Sequence, residues 1–346
     1  MKIGIITGKD DEISLNKEIN KLVPKKYYEN GAVHTDIALA FLMKERFVGV
    51  KIDIITPKEL TNERLKKNDI NFIIGYDVIN AINDDPHVKK FSGQAGLKRL
   101  DTMYKLKTNK VFPSYPFLSL LWDKKEYLQL LEKNKIPISP TVFIKKNIRI
   151  QTLLKKVKEK KWKDFIIKPI GGTIAYGLGI FNTKECTENN SILQVYFDEE
   201  NKFYDEYLVQ EKIDGFSTYG EIKTFWINGK LSYAVNTPGA TSPDQTYVVK
   251  EMINKETLNH CEKIGNKIFK ILPKISFNRK GTLPVLIRID FACCKRNKGH
   301  KSTNYFVNEI ESDIAGLYIN FPNVKYPALE ILANSYIQKA YELVKK

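Results

Sequence analysis

The chain has 346 residues, 42% of them hydrophobic and 28% charged, and it carries a formal net charge of +16. At roughly 150 residues per domain, this length predicts two or three domains, and the composition excludes a collagen, a coiled coil and a disordered chain. No apolar run reaches the roughly 18 residues that a membrane helix needs, and the first residues turn acidic too soon for a signal peptide, so we expect a soluble cytoplasmic protein without a membrane partner.

The first hundred residues alternate short apolar runs with helical stretches. The runs are KIGIIT (2–7), KIDIIT (51–56) and NFIIGY (71–76), and a helical pattern covers about 35–44. Short β-branched runs separated by helices predict buried parallel strands in an α/β unit. The residues after the first run, TGKDDEIS, contain no GxGxxG, which disfavours a dinucleotide-dependent dehydrogenase.

Prolines and serines at 113–119 predict a linker, and we place a domain boundary near residue 115. Asp123 then caps a helix whose apolar residues recur at helical spacing until Pro137 ends it. Later elements are a helix at about 150–161, strands at 164–170, 179–181, 207–213, 220–229, 286–294 and 305–311, and a last helix from Pro327. We expect three domains, spanning 1–115, 116–206 and 207–346.

The excess of positive charge is concentrated between Lys124 and Lys168, where 14 basic residues face 4 acidic ones, a surplus of 14 − 4 = 10. Such a bias is compatible with nucleic acid, an anionic surface or a polyanionic small ligand. The alternative is a solvated helix face, which the run KKVKEKKWK favours because charge runs usually face water.

A glycine-rich segment follows Lys168 at the end of an apolar strand, with glycines at 171, 172, 177 and 179. Glycines allow backbone N–H groups to close on phosphate oxygens, and the lysine adds a point charge, so the segment predicts a phosphate site. The segment does not end in GK[ST], so it is not a Walker A loop. A strand–loop–strand hairpin that needs glycines for its turn is the alternative.

Carboxylates cluster on two strands near the end of the chain. Arg288 and Asp290 share one face of the first strand, and Glu309 and Glu311 share one face of the second, because residues i and i+2 point the same way. If the strands pair, three carboxylates and a guanidinium meet inside a sheet, where the carboxylates repel one another unless a hard cation joins them. The pattern predicts a magnesium site, and a solvated charged strand face is the alternative.

The order of these pieces resembles the ATP-grasp superfamily over roughly residues 110–320. The pieces are a helix opening with DK and ending in IPISPT, then IIKP with its glycine loop, LVQEKI, GEIKTF, RIDF and VNEIE. The resemblance implies an α/β protein in which a Rossmann-like parallel sheet precedes an α+β ATP-grasp fold of two subdomains. It is similar to carboxylate–amine ligases of the D-alanine–D-alanine ligase and glutathione synthetase type.

The resemblance also implies roles for particular residues. Those implied to bind ATP are Lys124 and Lys168 at the phosphates, Gly171, Gly172, Thr173 and Gly177 in a flap over them, Gln210, Glu211, Lys212 and Ile213 at the adenine edge, and Glu221 at the ribose with Lys223 on its strand. Those implied to hold Mg²⁺, or Mn²⁺ in its place, are Asp290, Glu309 and Glu311. Arg288 and Lys168 are implied to be catalytic.

The family usually has asparagine where this chain has Glu311, which puts the second metal site and the acceptor pocket in doubt unless Asp313 shares the role.

The reaction implied is activation of a small-molecule carboxylate as an acyl phosphate, attack by an amine, and release of ADP and phosphate. A second hypothesis is an ATP-grasp kinase that phosphorylates a polyphosphorylated polyol of the inositol phosphate type. A third is a nucleic-acid-binding or scaffold protein that kept the fold, which the full set of lysines, arginine and carboxylates disfavours. The resemblance is also compatible with a homodimer.

Overall fold

The structure is a computed structural model that describes residues 1–8, 12–75, 107–170, 175, 177–239, 248–278, 280–293, 305–312 and 315–344. Within these ranges the chain forms an N-terminal parallel sheet, a central antiparallel sheet and a C-terminal antiparallel sheet. No helix in the described part of the chain is long and apolar enough to cross a bilayer.

The N-terminal sheet has four strands in the order β2-β1-β3-β4, and all of its pairings are parallel. Its strands are β1 (Lys2–Ile6), β2 (Lys51–Ile55), β3 (Ile70–Ile73) and β4 (Val111–Phe112). Its helices are α1 (Lys17–Asn20), α2 (Thr35–Arg46) and α3 (Asn62–Lys66). The predicted parallel α/β unit is confirmed, because apolar side chains on both faces of β1 and β3 are buried under helices.

The segment predicted as a linker at 113–119 is instead largely helical, so that prediction is wrong. Helix α4 (Tyr115–Trp122) carries Pro116 in its first turn and buries Phe117, Leu118 and Leu121. A proline in the first turn lacks only an N–H that would have no helical partner anyway, so it starts a helix as readily as it marks a loop.

Helix α5 (Lys124–Lys133) follows at once and begins where the sequence predicts. The Asp123 carboxylate accepts hydrogen bonds from the backbone N–H groups of Lys125 and Glu126, which satisfies two donors at the helix start. Tyr127, Leu128 and Leu131 fill the buried face of α5. Asp123 therefore fixes Lys124 as the first residue of a packed helix.

The central sheet has four antiparallel strands in the order β5-β8-β6-β7 and encloses its own apolar core. Its strands are β5 (Thr141–Lys145), β6 (Asp164–Pro169), β7 (Gly179–Asn182) and β8 (Glu206–Glu211). Its helices are α6 (Ile150–Glu159), α7 (Thr183–Glu188) and α8 (Ser191–Glu200).

The C-terminal sheet has five strands in the order β11-β10-β9-β14-β15. These are β9 (Glu221–Ile227), β10 (Lys230–Thr237), β11 (Lys250–Glu251), β14 (Leu286–Cys293) and β15 (Tyr305–Ser312). A separate hairpin joins β12 (Ile275–Phe277) to β13 (Lys280–Thr282). The helices of this part are α9 (Asp214–Tyr219), α10 (Lys255–Ile271) and α11 (Ala328–Val344).

Contacts made by β15 and by the last helix, α11, connect the C-terminal part of the chain with the parts before it. The backbone N–H of Val307 on β15 donates to the carbonyl of Pro137 at 2.8 Å, which holds the segment after α5 against β15. Helix α11 returns to the N-terminal sheet, where the rings of Tyr336 and Phe72 meet edge to face at 5.2 Å. The first contact holds the segment after α5 beside β15, the strand that carries Glu309 and Glu311.

Gly220, which directly precedes β9, provides a test of this local geometry. Its φ of 74° and ψ of −158° belong to a region that only glycine enters readily, and an added Cβ would lie 2.1 Å from the carbonyl oxygen of Thr237. We expect Gly220→Ala to lower the free energy of unfolding by roughly 3 kcal/mol or more, measured by urea denaturation.

Gly229 is the matched control for this prediction. It has a similar φ of 76° in the hairpin turn, but an added Cβ would meet nothing within 4 Å. Gly229→Ala is therefore expected to cost only about 1 kcal/mol. Equal losses for the two variants would show that the close approach of Thr237 does not constrain this site.

Candidate functional site

The three carboxylates on β14 and β15 meet in one cluster. The two strands pair so that Asp290 lies opposite Glu309 and Arg288 lies opposite Glu311. One oxygen from each of Asp290, Glu309 and Glu311 lies within 4.8 Å of the others. The alternation of side chains along two paired strands thus brings the predicted metal ligands to one face of the sheet.

Arg288 neutralises part of this buried charge. Its Nε lies 2.8 Å from Asp290 Oδ1, and its terminal nitrogen Nη2 lies 2.9 Å from Asp290 Oδ2 and 2.6 Å from Glu311 Oε1. The fork-to-carboxylate geometry is the strongest that an arginine makes. Burial raises the pKa of Glu311 to about 7 against the attraction of Arg288, and the neighbouring Glu309 and Asp290 add to the shift.

Lys223 supplies a second buried cation from the adjacent strand β9, where it pairs with Asp290 in register. Its Nζ lies 2.5 Å from Glu221 Oε2 and 2.7 Å from Asp290 Oδ2. Burial works against this charge, but Asp290 and Glu221 outweigh it and keep the pKa of Lys223 well above the ordinary lysine value. In this structure, therefore, Lys223 and Glu221 form a buried ion pair with each other.

Two further residues that sequence reasoning missed complete this network. A β-bulge between Asp290 and Phe291 leaves Asn308 unmatched on β15, and its side-chain Nδ2 donates to Glu221 Oε1 at 2.6 Å. The ring of Tyr318 lies 5.4 Å from Lys223 Nζ and 5.6 Å from Arg288 Cζ, at cation–π distance. No sequence pattern predicts either of these two contacts.

Glu12, from the loop after β1, holds Tyr318 in place. Its carboxylate accepts the backbone N–H of Leu317 at 2.9 Å and also that of Tyr318. Burial raises the pKa of Glu12 to about 7, although these two hydrogen bonds and the charge of Arg288 oppose the shift. From the sequence, no role was assigned to Glu12, and it was not connected with Tyr318.

Lys124 reaches the carboxylate cluster from the start of α5. Its Nζ lies 2.8 Å from Glu309 Oε1, and its side chain is only 13% exposed. Burial alone would raise the pKa of Glu309, but Lys124 and Arg288 outweigh it and hold that pKa at about 2.

Lys168, near the end of β6 in the central sheet, interacts electrostatically with Glu309 of the same cluster and with Glu221. Burial lowers the pKa of Lys168 to about 8; the charge of Lys124 acts in the same direction, while Glu309 and Glu221 oppose it. The two predicted phosphate lysines thus lie in the electrostatic reach of the predicted metal ligands.

The glycine-rich segment is described only in part, because Gly171, Gly172 and Thr173 lie outside the described residues, as does Asp313. Gly177, near its end, has a φ of 71°, and an added Cβ would lie 2.6 Å from the ring of Pro169. The Tyr196 hydroxyl donates to the Gly177 carbonyl at 2.6 Å. The C-terminal end of the segment is therefore fixed to α8.

The predicted adenine segment connects the central and C-terminal sheets. Gln210 is buried and its Nε2 donates to Thr141 Oγ1 at 2.8 Å. The backbone N–H groups of Glu211 and Lys212 donate to carbonyls of the central sheet at 3.1 and 3.0 Å. Ile213 packs against Ala292 and Phe306 of the C-terminal sheet. These contacts fix the path of the segment beside the cluster.

The donor set fits a hard divalent cation. Among the described residues, Asp290 Oδ2 accepts from Lys223 and Arg288, whereas Oδ1 accepts from Arg288 Nε alone, which leaves Oδ1 one lone pair. Glu309 and Glu311 are 26% and 28% exposed, so a ligand can approach them from solvent. Magnesium and manganese accept such oxygen donors.

Comparison with known proteins gives a match at the level of structure. No protein-family model and no curated protein sequence matches the chain. The D-cycloserine synthetase DcsG superposes with a TM-score of 0.63 at 13% sequence identity, covering 98% of this chain and 100% of that one. A D-alanine–D-alanine ligase from Bacillus anthracis, solved in complex with ATP, gives 0.57 at 16% identity, covering 100% and 99%.

A third similar structure is the ATP-grasp ligase PsnB, complexed with a variant of its minimal precursor, Mg and ADP. It gives a TM-score of 0.59 at 12% identity, and 98% of each chain is covered. The likeness extends over all three sheets in each case, so it concerns the whole architecture rather than one motif.

Proposed function

We propose that this chain, which has the ATP-grasp fold, is an ATP- and Mg²⁺-dependent ligase that activates a small-molecule carboxylate as an acyl phosphate for attack by an amine. The observation that carries this proposal is the convergence of Lys124 and Lys168 on the cluster of Asp290, Glu309 and Glu311. A nucleoside triphosphate with a divalent cation needs both kinds of group within one cleft.

The proposed roles follow from the charges and positions of these groups. Asp290, Glu309 and Glu311 would hold Mg²⁺, which supplies charge neutralisation on the phosphate oxygens when bound. Lys124 and Lys168 would bind phosphate oxygens and keep the triphosphate oriented. Arg288 engages Asp290 and Glu311 through Nε and Nη2, and within the part of the chain that the structure describes its Nη1 donates to the Gly316 carbonyl alone, at 3.4 Å. Nη1 is thus the group that would steady the transferred phosphoryl group.

The nucleoside would lie along the segment 210–213. The contacts described above hold this segment between the central and C-terminal sheets. Each Glu221 oxygen accepts one hydrogen bond, from Asn308 or from Lys223, and keeps a lone pair for a ribose hydroxyl. The segment 171–177 would cover the phosphates as a flap and exclude water from the acyl phosphate.

The positions of the basic residues between 124 and 168 favour the ligase over the kinase alternative. Of the basic surplus between residues 124 and 168, Lys155, Lys156 and Lys158 lie on the exposed face of α6. Lys124 and Lys168 are the members of that surplus for which the described residues show an interaction with the carboxylate cluster. The bias therefore indicates a solvated helix face more than a polyphosphate site.

An isotope experiment tests the proposed reaction. Purified protein is incubated with ATP, Mg²⁺, an amine pool and amino acids whose carboxylate carries heavy oxygen. A ligase that forms an acyl phosphate transfers one heavy oxygen atom to the released phosphate, and both ADP and phosphate accumulate. ADP without free phosphate, together with a stable phosphorylated product, would contradict the proposal and favour the kinase.

The lowered pKa of Lys168 predicts a pH dependence. With a pKa of about 8 in the free protein, Lys168 is charged below that pH and neutral above it, so kcat/KM for ATP is expected to fall as pH rises through about 8. Lys168→Arg keeps a charge at all these pH values, because arginine stays protonated to beyond about pH 12, and it is expected to lose this alkaline decline. The same decline in wild type and variant would rule out Lys168 as its source.

A further inference from the structure

The ion pair between Lys124 and Glu309 joins two residues that the proposed function assigns to different ligands. Lys124 is a phosphate lysine and Glu309 is a metal carboxylate, yet in this structure Lys124 Nζ lies 2.8 Å from Glu309 Oε1. Lys124 therefore lies where the metal ion would bind Glu309, and Glu309 lies where a phosphate would bind Lys124. Neither can bind that ligand fully while the pair is intact.

The surrounding charges balance while the pair is closed. Among the described residues, the cluster has four carboxylates, of Glu221, Asp290, Glu309 and Glu311, and the four cations that interact with them are Lys124, Lys168, Lys223 and Arg288. Separating a largely buried pair by removing one partner leaves the other charge without compensation, which is costly. A metal ion alone adds a cation to a balanced site, and a nucleotide alone adds anions to it.

Binding of both ligands removes this difficulty. A metal ion that takes Glu309 releases Lys124, and a nucleotide phosphate then gives Lys124 a new anionic partner. Conversely, a nucleotide that takes Lys124 exposes a carboxylate that the metal satisfies. Because the coupling is a difference in binding free energy, each ligand must favour the other by the same factor.

We propose that the Lys124–Glu309 ion pair is a latch that suppresses binding of metal alone and of nucleotide alone, and so makes the two depend on each other. This inference rests on the proposed function, because it takes the metal and nucleotide roles of these residues from it. The latch would keep the acidic cluster from filling with metal before a nucleotide arrives.

Metal binding without nucleotide tests one side of the latch. Mn²⁺ is titrated into wild type and Lys124→Gln, and free Mn²⁺ is followed by electron paramagnetic resonance. We expect Lys124→Gln to bind Mn²⁺ alone roughly tenfold more tightly than wild type, within the usual range of coupling between sites.

Lys125→Gln is the matched control for this titration. Lys125 is the next residue on α5 and pairs with Glu206 at 3.1 Å rather than with the cluster. Its substitution removes the same charge from the same helix turn, and it is expected to change Mn²⁺ affinity less than about twofold, as for an exposed pair. Equal tightening in both variants would attribute the effect to net charge and overturn the latch.

Nucleotide binding without metal tests whether the ion pair also suppresses binding of nucleotide alone. This test does not require Lys124→Gln to fold. In the presence of a chelator, calorimetry is expected to show that Glu309→Gln binds ADP roughly tenfold more tightly than wild type, because Lys124 is released. Glu311→Gln is the control, since Glu311 lies on the same face of β15 but pairs with Arg288. Glu311→Gln is expected to increase the affinity for ADP by a smaller factor than Glu309→Gln does.

The outcomes separate the latch from the proposed function. If wild type binds Mn²⁺ and ADP together but neither variant tightens its single-ligand binding, the latch is wrong and the proposed function stands. If wild type binds no Mn²⁺ even with ADP present, both are overturned.

Discussion

Replacing Asp290 with asparagine is expected to reduce turnover by roughly 10³-fold or more, because it removes an anionic ligand of the metal ion that is proposed to neutralise charge on the phosphate oxygens. Asp290 is completely buried, contacts both Lys223 and Arg288, and is one of the three carboxylates proposed to hold the metal ion. Asparagine has almost the same shape but carries no negative charge. The measurement is the rate of ADP release at saturating ATP, Mg²⁺ and acceptor.

Asp205→Asn is the control for this variant. Asp205 forms an ion pair with Lys146 at 2.6 Å on the surface, where its side chain is 77% exposed. The same change of residue type there is expected to leave turnover unchanged. Circular dichroism at the assay temperature distinguishes loss of chemistry from loss of fold, and a folded Asp290→Asn protein with near wild-type turnover would exclude Asp290 from the metal site.

Replacing Lys223 with methionine is expected to lower the free energy of unfolding by about 3–5 kcal/mol, as breaking a buried ion pair from one side usually does. Methionine fills a similar volume but leaves Glu221 and Asp290 without the ammonium that lies 2.5 and 2.7 Å from their oxygens. Urea denaturation measures the loss, and it requires no assumption about substrate.

Two comparisons show whether this loss comes from the buried pair. Adding Glu221→Gln to Lys223→Met removes one of the two stranded charges, so the double variant is expected to recover part of the loss. Lys125→Met breaks a more exposed pair with Glu206 and is expected to cost about 1 kcal/mol or less. Similar losses for Lys223→Met and Lys125→Met would show that the Lys223 network contributes little to stability.

The sequence predicted the elements of the site better than the contacts between them. Alternation along β14 and β15 indicated that Arg288 and Asp290 share a face, as do Glu309 and Glu311, and the pairing of the strands brings those faces together. Asp123 was predicted as a cap because its side chain acts within three residues of its own position. Both predictions rest on local geometry, which the residue pattern contains.

Contacts between distant segments could not be predicted in the same way. Asn308 reaches Glu221 only because of a β-bulge, and an inserted residue leaves no mark in a single sequence. Glu12 meets Leu317 across 305 residues of chain. Lys223 was assigned to the nucleotide by its place in a motif, whereas its burial between Glu221 and Asp290 depends on the register of β9 with β14.

The helix over 115–122 was missed for a different reason. Proline is compatible both with a loop and with the first turn of a helix, and the sequence was interpreted as a loop because of Pro113 and Pro116. The apolar residues Phe117, Leu118 and Leu121, which the helix buries, were the signal that could have decided between them.

Calorimetric titration of ADP into the wild-type chain, with Mg²⁺ and then with a chelator, tests most directly whether Lys124, Lys168 and the acidic cluster form a nucleotide site. The account predicts saturable binding with Mg²⁺ and at least roughly tenfold weaker binding without it. No heat of binding with Mg²⁺ present, or equal affinity in both conditions, would contradict it.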